Sequence, residues 1–214
     1  MNHTLYFAPG TCSRVVMAAL AHLDLAYQAE QVKLAEGQQR SAGYLAINPK
    51  GKVPVLLTPE GPLSDVIAIA VYLDDLAATQ GKAQRLLPSQ GFTHARAMSW
   101  LSWCAGTLHP LIYRLRMSAR IHPDTTQHDV IRGAAMAELE QQLQVAEQLF
   151  SAQPQWLTGA DWSLADAYLL WAWQRAQLAG LYSSQWPALQ QWSQRAEQHP
   201  SWLQAMATEA QVSG

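Results

Sequence analysis

All nine tryptophans of this 214-residue chain lie at or after Trp100, and none lies in the first 99 residues. A chain folding around one uniform core would not sort its largest side chains this way, so the asymmetry predicts two parts with different interiors. The hydropathy pattern divides at the same place. In the first part, Thr4-Leu5-Tyr6-Phe7 is short and β-prone, and Pro9-Gly10 is a turn. Ser13 to Leu23 carries Val16, Ala19, Leu20 and Leu23 at helical spacing. Tyr27 to Val32 alternates as a strand does, and Val53 to Leu57 reads as a third strand. Glu60-Gly61-Pro62 reads as a tight turn, and Ile67, Ile69, Ala70, Leu73 and Leu76 mark a helix. The order βαβ, an irregular stretch, then β(β)α predicts a small mixed sheet covered by helices. The second part has no strand signal. Ala95–Leu108, Ala134–Phe150 and Leu164–Leu178 read as helices, the last so apolar that it belongs in the middle of a bundle. Two shorter helices follow, around Ala188–Glu197 and Trp202–Ala210. The predicted organisation is an α/β domain over 1–79, a linker over 80–89 and an all-α domain over 90–214.

Composition narrows the function classes. Hydrophobic residues make up 49% of the chain and charged residues 14%, against about 25% charged in an average globular chain. That balance excludes a mostly disordered chain. A net charge of −2 gives no general attraction to nucleic acid or to anionic lipid. No apolar run approaches the ~18 residues of a membrane-spanning helix. Met1-Asn2-His3-Thr4 lacks the basic segment and apolar stretch of a secretion signal. Two cysteines make no disulfide framework, so a reduced, cytoplasmic setting is expected.

Several residues can carry chemistry. Cys12 follows Pro9-Gly10-Thr11 just ahead of a helix, where partial positive charge and N–H groups favour a thiolate, its own or a bound one. Cys104, among Trp100 and Trp103, reads as packing. Val53-Pro54 follows the Asn48-Pro49-Lys50-Gly51 turn. A proline there suggests an edge strand with a cis bond, which would turn the Val53 backbone groups outward toward a peptide. Ser64 and Asp65 precede a helix that either can cap, and the same N–H groups can hold a carboxylate. Ser163-Leu164-Ala165-Asp166 has capping-box spacing and reads as structural. His109 precedes Pro110 at a helix end and by itself reads as a surface or capping residue. Metal-ligand spacing, GxGxxG, Walker and GxSxG motifs are all absent from the sequence.

Taken together, Ala8-Pro9-Gly10-Thr11-Cys12-Ser13, Asn48 through Leu56, Leu63-Ser64-Asp65-Val66 with Tyr72-Leu73, Leu108-His109 and Gly159 through Asp166 resemble the glutathione transferases, most of all the bacterial beta class. The resemblance covers nearly the whole chain. It implies a thioredoxin-like N-terminal domain that binds glutathione and an all-helical domain that helps bind a small apolar electrophile in the cleft between them. It also implies a homodimer, with glutathione as co-substrate and neither metal nor other cofactor. By position, Cys12 matches the cysteine beside the glutathione sulfur and His109 a histidine near it, the two implied catalytic residues. Lys52, Val53 and Pro54 match the segment pairing with the cysteinyl backbone, and Asp65 and Val66 the γ-glutamyl end. Three positions depart from the pattern. Phe7 stands where a tyrosine is frequent, Val66 where a serine is, and Pro110 where a lysine is. The activity implied is conjugation of reduced glutathione to apolar electrophiles. Thiol exchange or peroxide reduction through Cys12, and non-catalytic binding of apolar ligands, stay open as alternatives.

Overall fold

The computed structural model describes residues 3–213. Met1 and Asn2, on which part of the N-terminal reading rests, lie outside them. The chain forms two compact units. One holds the residues up to Leu87 together with those from Gln198 on, and the other holds Pro88–Glu197.

In the first unit, β1 (His3–Phe7), α1 (Ser13–His22) and β2 (Tyr27–Gln31) make a parallel βαβ unit, with Leu5 opposite Ala29. A short helix, α2 (Ala42–Ile47), follows. Then β3 (Val55–Thr58) and β4 (Gly61–Ser64) form a hairpin, and α3 (Val66–Thr79) crosses back. The sheet order is β2-β1-β3-β4. α1 buries Val15, Val16, Met17, Ala18, Ala19 and Leu20. A helix apolar nearly all round needs cover on several sides, and α1 has neighbours in α3 and α10 (Pro200–Ser213).

Four expectations are corrected. Val53-Pro54 was expected in an edge strand. The bond is cis, but β3 begins at Val55 and lies between β1 and β4. Pro54 precedes the ladder, so its missing N–H breaks no strand pairing. The hairpin turn is Pro59-Glu60, since Thr58 pairs with Gly61, and Pro62 sits in the true edge strand β4. The third correction concerns the C-terminal helix. α10 packs on α1 and β2 rather than joining the helices before it. Its stripe of Ser201, Trp202, Ala205 and Glu209 is what it buries. The segment expected as a linker is partly core as well. Leu86 and Leu87 are buried, the Leu86 N–H donates to Asp74 at 2.7 Å, and Arg85 forms an ion pair with the same carboxylate.

The second unit contains α4 (Gly91–Trp103), α5 (His109–Arg116), α6 (Ser118–Ile121), α7 (His128–Ser151), α8 (Leu164–Gln177) and α9 (Pro187–Glu197). α8 buries every residue from Leu164 to Trp173 and packs against α4, α5 and α9, the central place its composition predicted. Its start is a true capping box. Asp166 accepts from the Ser163 N–H at 3.1 Å and from the Leu157 N–H at 2.9 Å. α4 does not end before Pro110. A π-helical turn, Cys104–Leu108, joins it to α5. The wider turn there accommodates the ring and missing N–H of Pro110 without a break. Among the described residues no helix is long and apolar enough to cross a membrane.

Candidate active site

The loop from Ala8 to Cys12 ends β1 and starts α1. Gly10 turns it at φ +70°, a conformation that suits glycine. Cys12 is the N-cap residue of α1 but its side chain caps nothing. Its Sγ points at the Val53 carbonyl, 4.0 Å away. The segment before Val53 is fixed from below. Both the Tyr44 hydroxyl and the Asn48 side-chain amide donate to the Lys52 carbonyl at 2.7 Å. Gly51 is needed there, because its φ is +60° and a Cβ would lie 3.1 Å from the Gln39 carbonyl.

A helix start was expected to lower the Cys12 pKa, and the structure overturns this. Burial pushes the thiol up to about 12, with Asp65 adding to the rise. The Cys12 backbone N–H and the Lys52 charge pull the other way without prevailing. Cys12 as a whole is only 6% exposed. Removing the anion from water outweighs a fractional helix-end charge, whose effect is about 0.3–2 kcal/mol. Cys12 is therefore a neutral thiol at pH 7. Cys104, fully buried, is pushed well above its ordinary value by burial too.

At the head of α3, Asp65 has φ +75°, and its carboxylate does not cap the helix. Instead it forms an exposed ion pair with Lys50. The expected cap is absent: the carboxylate is engaged by Lys50, and the backbone here is outside the usual N-cap conformation. A non-glycine residue held at positive φ costs about 1–3 kcal/mol and is concentrated at functional positions. Val66 next to it is buried, so its backbone, not its side chain, is what the helix head offers.

Phe7 is fully buried and supplies packing alone. Tyr6 faces the other side of β1 and packs edge-on against Tyr44. A groove of about 370 Å³ adjoins Pro9 and is lined by Val32, Lys33 and Leu34 among others. Lys33, at this groove, stands in an irregular stretch with no motif around it. Thus Cys12, Val53 and Pro54 come together in the first unit, with Lys52, Asp65 and Val66 in the same unit. His109 lies in the second, where the Tyr168 hydroxyl is 3.0 Å from its Nδ1 and the Trp171 ring lies 4.5 Å from it. The arrangement can hold an anionic sulfur at a helix start, pair a peptide with the Val53 backbone and receive an amino-acid end at the head of α3.

Known proteins resemble this chain along most of its length. The family model for the glutathione S-transferase N-terminal domain matches residues 10–76, and that for the C-terminal domain matches residues 129–195. A maleylacetoacetate isomerase of Pseudomonas aeruginosa is 30% identical over 198 residues, 91% of each chain. The crystal structure of a glutathione transferase homologue from Sulfitobacter with bound glutathione superposes with a TM-score of 0.85 at 26% identity, over 98% of this chain and 97% of that one. A bacterial beta class glutathione S-transferase from Sphingomonas chungbukensis gives 0.82 at 27%, over 96% and 98%. The chain belongs to the glutathione S-transferase family.

Proposed function

We propose that the protein conjugates reduced glutathione to small apolar electrophiles, and that Cys12 serves this reaction as a hydrogen-bond donor rather than as a nucleophile. The observation that carries the reading is the burial of the Cys12 thiol at the start of α1, which raises its pKa and keeps the proton on it. An anionic Cys12 would repel a second thiolate beside it. A neutral one donates S–H to the glutathione sulfur, and the positive end of α1 adds to the stabilisation. The thiol proton of glutathione passes to solvent. The thiolate then attacks the electrophilic carbon, a C–S bond forms and the leaving group departs with its electron pair.

The remaining contacts follow from the chemistry of glutathione. The cysteinyl backbone pairs with Val53 beside Pro54, with Lys52 alongside. The γ-glutamyl carboxylate meets the N–H groups at Val66 and the head of α3, and its ammonium meets Asp65. The exposed Lys50–Asp65 pair is cheap to displace, since such pairs are worth about 0–1 kcal/mol. Lys33, beside the groove at Pro9, supplies a cation for the other carboxylate. His109, oriented by Tyr168 and Trp171, takes the second catalytic place. The enzyme works as a homodimer in the cytoplasm.

Calorimetry with glutathione, followed by a chloronitrobenzene assay, tests the reading. Binding in the upper micromolar to millimolar range and saturable conjugation are expected. Asp65→Ala should weaken binding about tenfold or more, the loss of one hydrogen bond to a charged group. Cys12→Ala should leave part of the conjugation. No heat of binding and no thermal shift at millimolar glutathione would end the proposal. Complete loss of conjugation in Cys12→Ala, together with a glutathione mixed disulfide on Cys12 in the wild type, would favour thiol exchange instead.

A further inference from the structure

The loop that carries Cys12 is fastened by a residue almost two hundred positions away. Glu209, on α10, is 6% exposed. Its Oε2 accepts from the Gly10 N–H at 3.0 Å. Arg14 Nε donates to both carboxylate oxygens at 3.0 Å, and Arg14 Nη2 donates to Oε1 at 2.6 Å. One buried carboxylate thus holds the residues two before and two after Cys12. All four residues belong to the first compact unit.

We propose that Glu209 is a positioning residue for the Cys12 loop, an inference that rests on the reading of that loop as the place of sulfur chemistry. Burying a charge is costly, and an apolar side chain of similar size usually stabilises a helix contact as well or better. α10 already has Trp202 and Ala205 on its buried face for that purpose. What Glu209 adds is direction. The Gly10 N–H can reach the carboxylate only in one orientation of the Pro9–Gly10 peptide, and Arg14 ties the same carboxylate to the first turn of α1. The span between them sets where the Cys12 Sγ stands relative to the Val53 carbonyl.

The decisive experiment measures alkylation of Cys12 by iodoacetamide, read by peptide mass spectrometry, in Glu209→Ala, Glu209→Gln and the wild type. Cys104, in the other unit, is the internal reference. Asp74→Asn is the stability control, because Asp74 is buried in the same unit and bonds Arg85 and Leu86 rather than the loop. Glu209→Ala should speed Cys12 alkylation at least tenfold, with Cys104 within twofold of the wild type. Its kcat for conjugation should fall about tenfold while KM for glutathione moves less than threefold. Glu209→Gln keeps an acceptor for the Gly10 N–H and should fall between, and it carries the test alone if the alanine variant does not fold. Asp74→Asn, with a comparable drop in melting temperature, should leave Cys12 alkylation near the wild-type rate. Equal acceleration in Asp74→Asn and Glu209→Ala would overturn the proposal, as would an unchanged Cys12 rate in both Glu209 variants. A wild type that binds glutathione but conjugates nothing would sink the transferase reading, and the alkylation rates would still decide the role of Glu209.

Discussion

Asp166→Ala should lower the stability of the second unit by about 3 kcal/mol at neutral pH, and by more in mild acid. The carboxylate is fully buried and holds the Leu157 and Ser163 N–H groups. Removing it leaves two buried donors without their acceptor, each worth about 1–3 kcal/mol. The pH dependence has an unusual sign for an aspartate. Burial, the dominant cause, raises the Asp166 pKa to about 6, against the backbone and Ser163 hydrogen bonds that lower it. The folded chain therefore holds the Asp166 proton more tightly than the unfolded chain, whose aspartates titrate near 4. The contribution of Asp166 to stability is complete below that unfolded value and declines as pH rises through 6. The gap between the folded and unfolded values corresponds to roughly 3 kcal/mol. Urea unfolding of wild type and Asp166→Ala between pH 4 and 7 measures the difference directly. A stability difference that widens toward pH 7 would contradict the burial argument. A folded, equally stable variant that no longer binds glutathione would make Asp166 a site residue.

The capping box was legible because its whole signal lies within four residues. The same holds for α1, α3, α7 and α8, whose apolar spacing is a local record of what they bury. α2 went unread although Ser41 accepts from the Tyr44 N–H at its start. Gly43 and a length of six residues leave too little periodicity to see. Pro110 was read as a helix end because proline removes a donor. The compensating π turn is a backbone adjustment that residue types alone do not announce. At the site, Cys12 was found and its protonation state was misjudged. The helix start is a local property, whereas burial is set by the fold around the loop. Glu209 could not be found at all. Its partners Gly10 and Arg14 lie 199 and 195 positions away, and on its own helix it reads as one more surface glutamate. The C-terminal helix was assigned to the wrong unit for the same reason, since an amphipathic stripe states that a face is buried but not against what.

The joint between α1 and α10 should fail in acid, opposite in sign to Asp166. His22 closes α1 and His199 precedes α10, their ring centroids 5.8 Å apart. Burial, with the nearby His22 adding to it, lowers the His199 pKa to about 4. His22 is lowered too, chiefly by burial, although the Arg85 backbone and Asp74 pull it upward. Both rings therefore stay neutral in the folded chain at pH values where the unfolded chain, with histidines near 6.5, takes up protons. Their contribution is whole above 6.5 and is lost as pH falls toward 4. His199 is partly exposed, so solvent screening reduces its own share to about 2 kcal/mol, and His22 adds in the same direction. His199→Gln keeps a polar partner for the Ser201 hydroxyl, which lies 2.7 Å from His199 Nδ1, and removes the titration. Its unfolding midpoint should vary less than that of the wild type between pH 7 and 4.5. Parallel pH profiles for the two proteins would show that the pair does not titrate with folding. The expected loss matters for the site as well, because the helix that lets go is the one bearing Glu209. Cys12 alkylation followed at pH 5 to 7, corrected for thiolate fraction, should rise in acid in the wild type and stay flatter in His199→Gln.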